Sequence, residues 1–134
     1  MNEKGLEREV LEKYRNIAVV GISDKPDRDS YKVANYLKNH GYNIIPINPT
    51  LEKWENIHSY GSLKEAAREN DIEVVDIFRK SESVLPIIEE AVEFKPKVIW
   101  MQIGVINQRA VELAEEHSIK VIMDKCMMEE HRKL

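Results

Sequence analysis

Between residues 17 and 31 an apolar strand, Ile17-Ala18-Val19-Val20, runs directly into a polar loop. The loop reads Gly21-Ile22-Ser23-Asp24-Lys25-Pro26-Asp27-Arg28-Asp29-Ser30-Tyr31. In α/β folds a turn between a strand and the helix after it can hold phosphate, because unpaired backbone N–H groups and the helix dipole converge there. Ser23 and Ser30 add hydroxyl donors, and Lys25 and Arg28 add positive charge. Asp24, Asp27 and Asp29 cancel much of that charge. A dinucleotide loop would read G-x-G-x-x-G, and only Gly21 of that pattern is present. The residues therefore point to an anion site, most simply for phosphate, in a ligand other than NAD. The bland alternative is a solvated connection with a serine cap.

Other strand ends carry further candidates. The second apolar run ends in Ile47-Asn48-Pro49-Thr50. An NAD site places Asp or Glu there for the ribose hydroxyls, and this sequence supplies neither. Arg79 and Lys80 follow the third run and are suited to a further phosphate as paired cations; a solvated strand exit is the alternative. The fourth run ends Trp100-Met101-Gln102-Ile103-Gly104-Val105. Gln102 is suited to hydrogen-bond an amide-bearing ligand, and Gly104 permits close approach to the backbone. Trp100 reads as core rather than as a stacking platform.

The elements that must position these residues alternate in type. Near-continuous apolar runs occur at Ile17–Gly21, Tyr42–Ile47, Glu73–Phe78, Lys97–Met101 and Lys120–Met123, the signature of parallel strands buried on both faces. Leu6, Val10, Leu11 and Tyr14 have helical spacing, which predicts an amino-terminal helix within residues 1–15 packed on the domain. Ser30 is predicted to cap a helix ending at His40-Gly41. Ser62-Leu63-Lys64-Glu65 reads as a capping box for a short helix ending near Asn70. Ser83 can open a helix that Pro96 stops. Asn107 can cap another running to about His117, and Met127 to Leu134 read as a last turn or two. The pattern predicts a doubly wound, Rossmann-like parallel sheet of five strands in one α/β domain over residues 1–134. The strand order expected is 3-2-1-4-5, with the flavodoxin order 2-1-3-4-5 as the alternative. The first order puts the ligand between the ends of the first and fourth strands.

Bulk properties exclude several classes. With 134 residues, 43% hydrophobic and 33% charged, the chain can bury a core and is not of disordered composition. A net charge of −4 argues against generic nucleic-acid binding. No apolar run approaches 18 residues, so no membrane span is expected. One cysteine excludes an internal disulfide and fits a reducing cytoplasm. No His/Cys/carboxylate cluster has metal-ligand spacing.

Several segments, in order, resemble the single-domain coenzyme A-binding proteins. They are Val20-Gly21-Ile22-Ser23-Asp24, Ser30-Tyr31-Lys32-Val33-Ala34-Asn35-Tyr36-Leu37, Ile45-Pro46-Ile47-Asn48-Pro49 and Val75-Asp76-Ile77-Phe78-Arg79. Trp100 to Val105 and Val121-Ile122-Met123-Asp124-Lys125-Cys126 with Glu130-His131 complete the set. The match runs from about Ile17 to the end, and the family is similar to the CoA-binding domain of the succinyl-CoA synthetase alpha subunit. The resemblance implies binding of coenzyme A or an acyl-CoA by the set from Gly21, Ile22 and Ser23 through Tyr31 to Cys126. It implies the pyrophosphate on Ser23, Lys25, Arg28 and Ser30. It implies the adenosine near Asn48, Pro49, Phe78 and Arg79, with Lys80 beside them, and the pantetheine arm along Gln102 to Gly104.

The synthetase relatives carry their phosphorylated histidine in a second domain, so no ligase chemistry is expected of this chain alone. His40, His58, His117 and His131 form no nucleophile–base–orienter set. The expectation is a binder without catalytic residues. The alternatives are a subunit that completes a CoA ligase with a separate chain, or an NAD-type oxidoreductase domain, which the loop disfavours. Self-association is left open. Cys126 reads first as an inert buried thiol. The chemical alternative is a mixed disulfide with CoA, favoured if Lys125 and a helix amino end lower the thiol pKa.

Overall fold

The computed structural model describes residues 3–134, with side chains from residue 5 onward. The predicted amino-terminal helix is present as α1 (Glu3–Lys13), and the part of that prediction on residues 1 and 2 lies outside the described residues. Five strands form the main sheet: β1 (Asn16–Val20), β2 (Asn43–Ile47), β5 (Val74–Ile77), β6 (Val98–Met101) and β7 (Lys120–Ile122). A small antiparallel hairpin, β3 (Lys53–Trp54) and β4 (Ile57–His58), follows β2. The other helices are α2 (Asp29–Lys38), α3 (Leu63–Ala67), α4 (Val84–Ala91), α5 (Gln108–Glu116) and α6 (Met127–Arg132).

All neighbouring strands of the main sheet run parallel, as their apolar runs require. Helices cover both faces. Leu63, Ala66, Val84, Ile88, Ala91, Ala110 and Ala114 of α3, α4 and α5 pack on one side. Val10, Leu11, Val33, Ala34, Leu37 and Met127 of α1, α2 and α6 pack on the other. The result is the predicted α/β doubly wound architecture in three layers.

The strand order is β2-β1-β5-β6-β7, which is 2-1-3-4-5 and not the expected 3-2-1-4-5. β5 pairs directly with β1, placing Ile17 against Val74 and Val20 against Ile77. The outer edge of β2 is already occupied. Tyr60 N–H donates to Pro46 O at 2.9 Å, and Asn48 N–H donates to Tyr60 O at 2.9 Å. The segment leaving the hairpin thus takes the position that β5 would need in the other order. The point at which the winding reverses therefore lies between the first and third main strands, not between the first and fourth.

Local signals explain the helix ends. Ser62 Oγ accepts from Glu65 N–H at 3.1 Å, and Asn107 Oδ1 accepts from Ala110 N–H at 3.0 Å, so both predicted caps are present. Ser30 is different. It lies inside α2 and is buried, while Arg28 stands at the cap position and contributes no side-chain cap bond. The short 3₁₀ turn Ser81–Ser83 precedes α4, and Ser83 stands at the cap position of that helix without a side-chain cap bond.

Candidate functional site

The β1–α2 connection is built around its single glycine. Gly21 has φ +86°, a region that L side chains rarely adopt, and an added Cβ would lie 2.3 Å from Phe78 O. The turn can pack this closely on the β5 exit only without a side chain. Gly21 N–H donates to Ile47 O at 3.1 Å and Phe78 N–H to Val20 O at 2.9 Å, tying the three strand ends together. The same added Cβ would lie 3.4 Å from Arg79 Nε, so the Arg79 side chain lies against this turn.

The loop then braces itself. Ser30 Oγ accepts from Ser23 N–H at 3.0 Å, and Ser23 Oγ accepts from Lys25 N–H at 3.0 Å. Asn48 Nδ2 donates to Ile22 O at 2.7 Å, and Asn48 Oδ1 accepts from both Thr50 N–H and Thr50 Oγ1, each at 2.8 Å. Trp54 is fully buried, and its Nε1 donates to Ser23 O at 2.9 Å. The loop is thus held from below by a hairpin residue that the sequence reading did not single out. With no side-chain cap at Arg28, the first-turn N–H groups of α2 form the usual anion-attracting end of a helix, and Asp29 sits among them.

Beside this turn, at the carboxyl ends of β5 and β6, lies a cavity of about 560 Å³. That is within the roughly 300–1,000 Å³ of small-molecule sites. Phe78, Arg79 and Lys80 line it from β5, and Gln102, Ile103, Gly104 and Val105 from β6. The start of α2 adds Asp29, Lys32 and Val33, and the start of α6 adds Cys126, Met128 and Glu129. The lining combines apolar side chains with three cations and two carboxylates, Asp29 and Glu129. A second cavity of about 260 Å³ is lined by Ile47, Pro49, Ser62, Ile87 and Glu90 among others, and Arg79 borders both.

Under the larger cavity lies a buried carboxyl group. Asp76, on β5, is fully buried, and Gln102 Nε2 donates to its Oδ1 at 2.6 Å. Its Oδ2 has no partner among the described residues. Burial pushes the carboxyl up to about 7, against the Gln102 hydrogen bond, which pulls it down. Gln102 is 4% exposed.

The β6 exit is pinned as firmly as the first loop. Gly104 has φ +84°; its N–H donates to Asp124 Oδ1 at 2.7 Å and its carbonyl accepts from Ser81 Oγ at 3.2 Å. Ser81 Oγ also accepts from Ile106 N–H at 2.9 Å. Trp100 is core, as expected: fully buried, with Nε1 donating to Lys125 O at 2.8 Å.

Of the predicted residues, Phe78, Arg79, Lys80, Gln102, Gly104 and Cys126 come together around the larger cavity. Pro49 and Arg79 meet at the smaller one. Gly21, Ser23, Ser30 and Asn48 shape the connecting turn. Ile22 is wholly inside the core and offers no side chain to a ligand. Lys25 and Arg28 are exposed and line neither cavity. Tyr31 points to the hairpin: its hydroxyl donates to Glu55 at 2.9 Å and its ring lies 5.5 Å from that of Trp54.

Cys126 is a buried thiol, as its first reading has it, and the lowered pKa that the mixed-disulfide alternative called for is not found. Burial raises the thiol pKa, outweighing the Glu129 and Met128 backbone N–H groups that favour the thiolate. Lys125 is turned to Glu7 at 3.7 Å instead. Among the described residues, no group of three His, Cys, Asp or Glu is placed to hold a metal ion. Among the described residues no helix is long and apolar enough to cross a membrane.

Sequence reasoning missed Lys32, Met128 and Asp76. Lys32 lies in the first turn of a helix that begins at the rim, and Met128 reaches the cavity only because α6 packs beside α2. Asp76 had a visible signal: a lone carboxylate in an otherwise apolar strand.

Comparison with known proteins gives this geometry its relatives. Residues 15–132 match the model of a CoA binding domain. The chain is 39% identical over 124 residues to the uncharacterized protein YneT of Bacillus subtilis (strain 168), covering 92% of this chain and 90% of that one. A hypothetical protein from Pyrococcus horikoshii OT3 has the same fold, with a TM-score of 0.93 and 37% identity over 98% of this chain and 91% of the other. The chain is also 26% identical over 123 residues to the acetate–CoA ligase (ADP-forming) II alpha subunit of Pyrococcus furiosus. That match takes in 84% of this chain and only 27% of the ligase subunit. A rim cavity on a doubly wound sheet, together with a family match from residue 15 to 132, leads to one conclusion: the chain belongs to the CoA binding domain family.

Proposed function

We propose that the chain binds coenzyme A or an acyl-CoA along the carboxyl rim of its sheet, without chemistry of its own. The observation that carries this reading is the larger cavity. It combines apolar walls (Val33, Phe78, Val105, Met128), an amide at Gln102 and the cations Lys32, Arg79 and Lys80. The pantetheine arm of CoA has apolar methylene and methyl groups and two amides, and it leads into a pyrophosphate, so it matches all three features. In this reading the pyrophosphate lies at the Gly21 turn and the start of α2, with Arg79 against it. The adenosine reaches toward Pro49 and the smaller cavity. The arm runs past Gln102 toward Cys126.

NAD fits less well. Asn48 occupies the strand end at which a ribose-binding carboxylate is needed, and both ends of its side chain are already engaged within the loop. Catalysis is not part of the proposal, because none of the four histidines lines either cavity.

A thermal-shift panel tests the reading. A ligand that binds only the folded state at 100 times its Kd adds about 2.7 kcal/mol, a rise of several degrees for a domain of this size. CoA is expected to give such a rise, ADP a smaller one and NAD none. Arg79→Ala should reduce the CoA shift. Equal shifts with NAD and CoA, or none with CoA, would remove the proposal.

A further inference from the structure

The Asp76–Gln102 pair has a consequence for how the cavity reads a ligand, and it rests on the binding proposal above. Gln102 has one amide nitrogen and one amide oxygen. The nitrogen is committed to Asp76 Oδ1 at 2.6 Å. The oxygen has no hydrogen-bond partner among the described residues, yet it is not among the buried side-chain atoms left without one. It therefore keeps accessible surface, and Gln102 lines the cavity. The carboxamide thus has its nitrogen fixed to Asp76 and its oxygen unpaired, on a residue that lines the cavity.

We propose that Asp76 is the positioning residue of this cavity: as a carboxylate it holds Gln102 with its oxygen toward the ligand, and once protonated it lets the carboxamide turn and offer its N–H₂ instead.

The chemistry follows from the donor inventory. A carboxylate only accepts, so it must face Nε2. A carboxylic acid has an O–H to donate, and Gln102 Oε1 is then its better partner. A ligand amide N–H needs the first arrangement, and a ligand carbonyl needs the second. A buried carboxyl held between its two states near neutrality is suited to switch between them.

Other groups face the same region and must be separated from Asp76. Its register neighbours, Val19 on β1 and Trp100 on β6, are neutral. On α1, Val10 and Leu11 pack into this layer, and Glu7 is paired with Lys125. The charged groups around the cavity are Asp29 and Lys32 on α2, Arg79 and Lys80 at the end of β5, and Glu129 on α6. Cys126 also lines it, with a thiol raised above its ordinary range. An Asp76→Asn variant leaves all of these in place and removes only the titrating group. The carboxamide it introduces can also pair with Gln102 in either orientation.

Two readouts decide the matter. The first needs no ligand: nitrogen-15 spectra of the Gln102 side-chain N–H₂ from pH 5 to 9. In the wild type these resonances should move through a single transition that Asp76→Asn lacks. The second is calorimetry with CoA at pH 6 and pH 8. The carboxylate form leaves Gln102 Oε1 to accept from a pantetheine amide N–H, so with that contact the wild type should bind about three- to tenfold more tightly at pH 8 than at pH 6, beyond any ratio the variant shows, which is the worth of one ordinary hydrogen bond. A Gln102 amide that stays still in the wild type, or moves equally in Asp76→Asn, overturns the proposal whether or not CoA binds. An equal pH ratio in both proteins overturns it as well. CoA binding to neither protein at either pH would instead strike the binding proposal, while the amide titration would still decide whether Asp76 positions Gln102.

Discussion

At the scale of single residues, two positions carry most of the physical constraint. Gly21 combines a left-handed backbone with a carbonyl so close that no Cβ fits. Gly21→Ala must strain the backbone and push the β5 exit away, at a cost of about 1–3 kcal/mol or more. A lower melting temperature and a loss of CoA affinity larger than that of an exposed-loop control substitution are expected. An unchanged melting temperature would show that the turn is not packed as described. Asp76 is the other position. It lies in a segment that the sequence reading quoted, but a strand that is apolar on both sides of it reads as core. Only the structure shows the carboxyl aligned with Gln102 from the adjacent strand. Cys126 teaches the reverse lesson. Its sequence neighbours left an activated thiol open beside the inert buried one, and burial, which raises the thiol pKa, favours the inert one.

At the scale of elements, the five strands of the main sheet, the six helices and two of the caps were legible because each leaves a local mark: an apolar run, a Ser or Asn before a helix, a proline after one. Strand order leaves fewer marks, yet one was present. Pro46 sits inside β2, and a proline within a strand belongs at a sheet edge, since it has no N–H for a second neighbour. That residue favours 2-1-3-4-5, the order observed. The hairpin β3–β4 escaped notice because its strands are two residues each, joined by Glu55 and Asn56 with φ of +49° and +66°. It matters for the site, because Trp54 anchors the first loop from beneath. Trp54→Phe keeps most of the ring packing and leaves Ser23 O without its donor. A loss of about 1 kcal/mol is expected, with faster amide hydrogen exchange confined to the β1–α2 loop. Exchange that rises evenly over the whole domain would argue that Trp54 supports the core and not the loop.

At the scale of the whole molecule, the buried carboxyl leaves a signature in stability. Asp76 is raised from 3.8 to about 7 by folding, so the folded protein binds more protons than the unfolded chain between those values. Its contribution is therefore fully present below pH 3.8 and is lost as pH rises toward 7. His131 acts in the opposite sense. Burial first, then His40 and Arg15, lower its pKa below 6.5, so its contribution is lost as pH falls below that value. Comparing wild type with Asp76→Asn isolates the first effect. From pH 5 to pH 8 the wild type should lose about 2–3 kcal/mol relative to the variant, read by urea unfolding. A difference that stays constant over that range would mean that Asp76 is not buried as a titrating group.

The central claim is that one rim of the sheet holds a pantetheine-bearing nucleotide. A crystal structure of the protein with saturating CoA tests it most directly. The expected result is a pantetheine arm in the cavity against Gln102, with phosphates at the Gly21 turn. A rim left empty at saturating CoA, or filled in the same way by NAD, would contradict it.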